Sequence, residues 1–169
     1  SDHYLWDASS IEIEPGRRTH VSAVYKKEST DFADVVEISK ESLDFLSDEF
    51  PGVPYPFPSL TVFNGAGGME FPMIINQGSY SSIARTVNVT SHEVAHMYFP
   101  VFDGTNERKY AWMDEGMAQM MAFELQERMV KGNDEVTGAS NYYKFLAGQE
   151  LELPLMAPSI MMRGLTLTV

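Results

Sequence analysis

Cysteine is absent from the 169 residues, which excludes disulfides and removes thiolates from any metal-ligand set. Basic residues are scarce: 12 lysines and arginines stand against 24 aspartates and glutamates, for a net charge of −12. A nucleic-acid binder needs a basic face. Here basic residues adjoin only as Arg17-Arg18, Lys26-Lys27 and Arg108-Lys109, so no nucleic-acid partner is expected. No apolar run reaches the roughly 20 residues of a membrane span, and no signal-peptide pattern is visible at the N terminus. The chain opens Ser1-Asp2 rather than with Met, which reads as the start of an excised, soluble piece. Its compartment stays open, a periplasmic or extracellular parent included. Apolar residues, by contrast, are plentiful: 44% hydrophobic and 12% aromatic content argues against disorder and suffices for one domain with a real core. Histidine is rare, with four in all, so the placement of two of them is informative.

Those two lie in His92-Glu93-Val94-Ala95-His96. On a helix, side chains four apart project from one face about a turn apart, so both imidazoles can reach one cation. The flanking Val87, Val89, Met97, Tyr98 and Phe99 make the helix largely apolar and therefore buried. Two histidines and a glutamate there are costly without a partner such as a metal. A zinc site for catalysis takes three protein ligands and keeps one position open, and His₂Glu is a known set. Glu115, which follows after eighteen intervening residues, is the natural third ligand on a second helix. Glu93 lies beside the open position, where a carboxylate can take a proton from water. The chemistry indicated is metal-assisted hydrolysis with one Zn²⁺.

Around Glu115 the stretch Trp112-Met113-Asp114-Glu115-Gly116 leads into Met117, Ala118, Met121, Ala122, Leu125 and Met129 at helical spacing, predicting an amphipathic helix from Lys109 to Val130. Taken alone, Glu115 is also what a helix dipole favours in a first turn. The methionines at core spacing read as packing residues.

Three motifs together resemble the gluzincin zinc metallopeptidases, specifically the aminopeptidase N-like enzymes. HEVAH, eighteen residues and the Glu of WMDEG fit that family's HExxH-x18-E pattern, and Gly67-Gly68-Met69-Glu70-Phe71 resembles its G-x-M-E-N segment. Tyr55 to Val62 is similar to the stretch leading into it, so the resemblance runs from about residue 31 to 130. It implies an α+β, thermolysin-like (zincin) catalytic domain, with a small mixed sheet packed on the helices that carry the zinc. It also implies His92, His96 and Glu115 as ligands, Glu93 as general base, and Asp114 as the outer support of His96; a solvent-facing Asp at a helix start is the alternative for Asp114. Glu70 would bind a peptide's free α-ammonium, with Gly67, Gly68 and Met69 letting backbone approach the substrate. A tight turn with an exposed glutamate is the alternative there. Flanking domains of a parent chain are expected, and the piece itself is expected to be weakly active or inactive.

Three positions depart from the family pattern. Phe71 stands where Asn is common, and Ala122 where many relatives have a glutamate supporting the first zinc histidine. The tyrosine that stabilises the oxyanion falls, by spacing, beyond Val169, while Tyr142 and Tyr143 are expected to be packing residues. A related endopeptidase or epoxide-hydrolysing enzyme, and a degenerate peptidase retained as a peptide-binding module, therefore stand beside the aminopeptidase reading. A purely structural zinc site is disfavoured, because Glu93 would have no purpose in it.

Along the chain, alternation in residues 1–30 around Pro15-Gly16 predicts a β-hairpin. Residues 31–130 form the motif-bearing core. It comprises a helix from Asp31 to Phe50 with Phe32, Val35, Val36, Leu43, Leu46 and Phe50 on one face, a proline-rich connector over 51–58, a strand Ser59–Phe63, a glycine turn, a strand at Met73–Ile75, and the two motif helices. Residues 131–169 read as a truncated C-terminal part: a polar loop over 132–141, a short helix over 142–149, and an aperiodic tail from Leu153 to Val169. Strands first and helices later give an α+β class.

Overall fold

The computed structural model describes residues 2–149; the expected tail from Leu153 lies outside them. A hairpin opens the fold, with β1 (Tyr4–Glu14) antiparallel to β2 (Arg17–Lys26). Gly16 turns it at a φ of 79°, a conformation that costs glycine little. A 3-10 turn (Thr30–Asp34) leads into α1 (Val35–Asp48), and the proline-rich connector delivers the chain to β3 (Ser59–Asn64). Then come β4 (Met69–Phe71), β5 (Ile74–Gln77), α2 (Ile83–His96), α3 (Ala111–Met129) and α4 (Glu135–Leu146).

The five strands form one mixed sheet in the order β1-β2-β3-β5-β4. β2, β3 and β5 run parallel, pairing Val21 with Leu60 and Val62 with Ile75, while β4 returns antiparallel along β5 at one edge. Side chains alternate across the sheet. Val21, Ala23, Tyr25, Leu60, Val62 and Ile75 are buried on the face that meets the helices. There they join Phe32, Val35, Leu43 and Leu46 before and along α1, Val94 and Ala95 of α2, and Ala118, Met121 and Leu125 of α3 in one core. α2 lies between α1 and α3 and also meets β4 and β5, so the helix that carries both motif histidines is held from three sides.

Polar ties complete the placement of α2. The Asp31 carboxylate accepts hydrogen bonds from the Ser79 hydroxyl, from the Tyr80 backbone N–H at 3.0 Å and from the Thr86 hydroxyl at 3.0 Å. That one side chain pins the approach to α2, and its first turn, against the turn before α1. Deeper in, the Thr90 hydroxyl donates to Gln77 Oε1 at 3.0 Å, tying the middle of α2 to the end of β5.

Three expectations change. Phe50 is 41% exposed, because α1 ends at Asp48 and the chain turns away before the next inward position. The segment read as a polar loop over 132–141 instead starts a helix: Asp134 Oδ1 accepts from the Thr137 N–H at 2.8 Å, an N-cap whose polarity imitates a loop. Tyr142 and Tyr143 are 50% and 59% exposed rather than packed, since α4 buries none of its residues. They meet each other edge-on with centroids 5.9 Å apart. β4, which no strand pattern announced, pairs with β5 through three residues. Among the described residues no helix is long and apolar enough to cross a membrane.

Candidate metal centre

α2 follows Ser82, whose backbone is extended, and buries Val87, Val94 and Ala95. That orientation leaves His92 and His96, one turn apart, aimed at α3. Their rings are 4.6 Å apart between centroids and nearly perpendicular. Ala118, Met121, Ala122 and Leu125 of α3 are buried in turn, which brings Glu115, in the second turn, over the histidines. His92 Nε2 lies 3.1 Å from Glu115 Oε2 and 3.1 Å from His96 Nε2, and His96 Nε2 lies 3.7 Å from the same carboxylate oxygen. Four ligands placed tetrahedrally about zinc at 2.0–2.1 Å are about 3.3 Å apart. The three atoms therefore already have nearly the spacing such an ion requires.

The hydrogen bonds behind His96 support this use of Nε2. His96 Nδ1 has the Phe99 carbonyl oxygen at 3.2 Å and Asp114 Oδ1 at 2.9 Å. The Phe99 carbonyl accepts the Nδ1 proton and the Asp114 carboxylate stands against it as a close ionic contact, so that proton is held on that side and Nε2 faces the cluster. The pocket also favours positive charge. Burial pushes the His96 pKa down, but Asp114 and Glu115 outweigh it and hold the group up at about 10. The hydrogen bond from His92, then that from His96, keeps the Glu115 carboxyl well below the usual carboxylate range. His96 is 1% exposed and Glu115 39%, so the cluster is closed behind and open in front.

Glu93 sits beside this cluster, 6% exposed, and its Oε2 has no hydrogen-bond partner among the described residues. Burial raises its pKa to about 7, against the pull of His92 and His96. Gly68 approaches it so closely that a Cβ there would stand 2.5 Å from Glu93 Oε1. Glu70, on the edge strand β4 with Met69, is half-buried and raised in pKa by burial. Its carboxylate comes within 4.8 Å of donor atoms of Glu93 and His96. Gly67 precedes it in a loop with open space around its Cα. All nine residues singled out from the sequence thus fall in one region.

Several neighbours were not singled out. Glu107, in the loop before α3, groups with Glu70 and Asp114 within the same 4.8 Å span. A cavity of about 220 Å³ beside the cluster is lined by Gly68, Tyr80, Arg85, His92, Glu93 and Gln119, with the Arg85 guanidinium 5.6 Å from the centre of the Tyr80 ring. Periodicity could have found two of these, since Arg85 precedes His92 by two turns and Gln119 follows Glu115 by one. Nothing local marks Glu107 or Tyr80.

No protein-family model matches the chain. The fold matches solved structures of an M1 zinc metallopeptidase from Deinococcus radiodurans. One is a point mutant (TM-score 0.62, 19% identity, 92% of this chain). Another is the enzyme itself (TM-score 0.60, 18%, 92%). A third is a point mutant bound to a Tyr-Ser-Ala substrate (TM-score 0.56, 18%, 90%). At these identities the likeness is one of fold. The chain spans 35% of the length of each of these proteins.

Proposed function

We propose that this chain carries the zinc site of a thermolysin-like metallopeptidase catalytic domain, and that the parent protein removes N-terminal residues from peptides. The convergence of His92 Nε2, His96 Nε2 and Glu115 Oε2 within 3.1–3.7 Å carries this reading. The chemistry of the set fits the ion: two imidazoles and a carboxylate, with an unpartnered carboxylate alongside. When bound, zinc would polarise a carbonyl and acidify water.

The chain's own residues supply the rest. His92, His96 and Glu115 would hold the ion, with Asp114 fixing the His96 tautomer. Glu93, with a pKa of about 7, is suited both to accept a proton from water and to return it to the departing amine near neutrality. Its burial shields that exchange from bulk solvent. On the open side, β4 is an edge strand whose free backbone groups can take an extended peptide as an added strand. Glu70 then offers a carboxylate to the peptide's terminal ammonium, while Gly67, Gly68 and Met69 line the approach. The Tyr-Ser-Ala substrate of the M1 neighbour supports a peptide as the ligand class. Flanking domains are part of this proposal, as is the weak activity of the piece alone.

The test combines metal analysis with hydrolysis of peptides whose N termini are free or blocked, in the full-length parent. Glu93→Gln should retain zinc and lose about 10²-fold or more in turnover. Unaltered turnover in that variant ends the scheme. Cleavage of blocked peptides selects the endopeptidase reading, and tight peptide binding without turnover selects the binding module.

A further inference from the structure

The histidine that lacks an outer support is His92: its Nδ1 is buried and has no hydrogen-bond partner among the described residues. Its Nε2 is committed to the cluster, so in a metal-ligating tautomer Nδ1 must carry the proton and needs an acceptor. Ala122 of α3 offers none. A chain of amides next to it does, and its polarity can be deduced.

The Asn88 carbonyl oxygen can only accept, so the Gln126 end 3.1 Å away must be Nε2, which also donates to Ser91 Oγ at 3.0 Å. Gln126 is fully buried, so this fixes its amide. Gln126 Oε1 can then only accept, and it takes the Gln119 Nε2 proton at 3.2 Å. The bond spans two turns of α3, passing Ala122. Gln119 is thereby forced to present Oε1 away from Gln126, and Gln119 and His92 both line the 220 Å³ cavity.

We propose that Gln119 is a positioning residue for the metal centre. Its Oε1, oriented by Gln126 and Asn88, accepts the His92 Nδ1 proton when the Gln119 side chain extends across the cavity that both residues line. The inference rests on the zinc reading above. The relay runs from a backbone carbonyl of α2, across α3, and back to the α2 residue one turn later. It couples the ligand's tautomer to the docking of the two helices.

Zinc dissociation constants measured by chelator competition on the full-length protein test this. Gln119→Leu, which removes the acceptor, and Gln119→Asn, which keeps an amide but shortens its reach, should each weaken zinc binding about tenfold or more. The thermal midpoint of the metal-free protein should fall in Gln119→Leu, which strands the buried Gln126 Oε1, so zinc affinity and the cobalt spectrum, not stability, report the relay. Ala122→Glu, placing a carboxylate on the same stripe of α3, should recover most of the loss in the Gln119→Leu background. The visible spectrum of the cobalt(II) form should shift in the two single variants and return in the double one. Wild-type affinity in both single variants overturns the relay while leaving the zinc reading intact. A wild-type protein that binds no zinc overturns both.

Discussion

Exchanging Glu93 for glutamine changes more than turnover, because the buried carboxyl stores a pH-dependent cost. Its pKa is 4.5 in an open chain and about 7 in the fold. Below pH 4.5 the group is protonated in both states and contributes nothing to stability. Between 4.5 and 7 the folded state keeps a proton that the unfolded chain has lost, so stability falls as pH rises. Above about 7 the carboxylate is charged in both states and the full cost applies. At about 1.4 kcal/mol per pH unit this comes to about 3 kcal/mol. Glutamine has nearly the same shape and never ionises. Glu93→Gln should therefore match wild type at pH 4 and exceed it by up to about 3 kcal/mol at pH 8. Urea denaturation of the metal-free protein in the presence of chelator, repeated across that range at common slope, measures the difference. A gap independent of pH, or a less stable variant at pH 8, refutes the argument that burial dominates the Glu93 environment.

Gly68→Ala drives a methyl group to within 2.5 Å of Glu93 Oε1; zinc content should hold while turnover falls about tenfold or more, and an unchanged kcat would show that Glu93 adapts freely. Asp31→Ala removes the acceptor shared by Ser79, Tyr80 and Thr86. Ser79 is exposed and the Thr86 hydroxyl keeps the Ser82 carbonyl oxygen at 3.3 Å, so the Tyr80 N–H bears most of the cost; a loss of about 1 kcal/mol in urea unfolding is expected, and a change under about 0.5 kcal/mol would mean that the start of α2 is held by other contacts.

What could be read in the chain were properties that repeat locally. The hairpin followed from alternation on either side of Pro15-Gly16, because strand period and turn preference are local. The pairing of His92 with His96 followed from 3.6-residue geometry, as did the inward stripe of α3 behind Glu115. The capped start of α4 is legible in principle at Asp134, yet its polar residues have the composition of a loop. β4 has no local signature, because three residues show no period and form a strand only by pairing with β5. Tyr142 and Tyr143 have the composition of core residues, but α4 makes no buried contact for them to join.

Local periodicity thus determined which side chains share a helix face, and so which could act together. Packing decided the rest: that α3 lies across α2 closely enough to bring Glu115 Oε2 3.1 Å from His92, and that Glu93 is dry enough to titrate near neutrality. It also decided that Gln126 sits where the Asn88 carbonyl dictates which way Gln119 must face. Those are distances and dielectric conditions between segments far apart along the chain, and no local pattern encodes them.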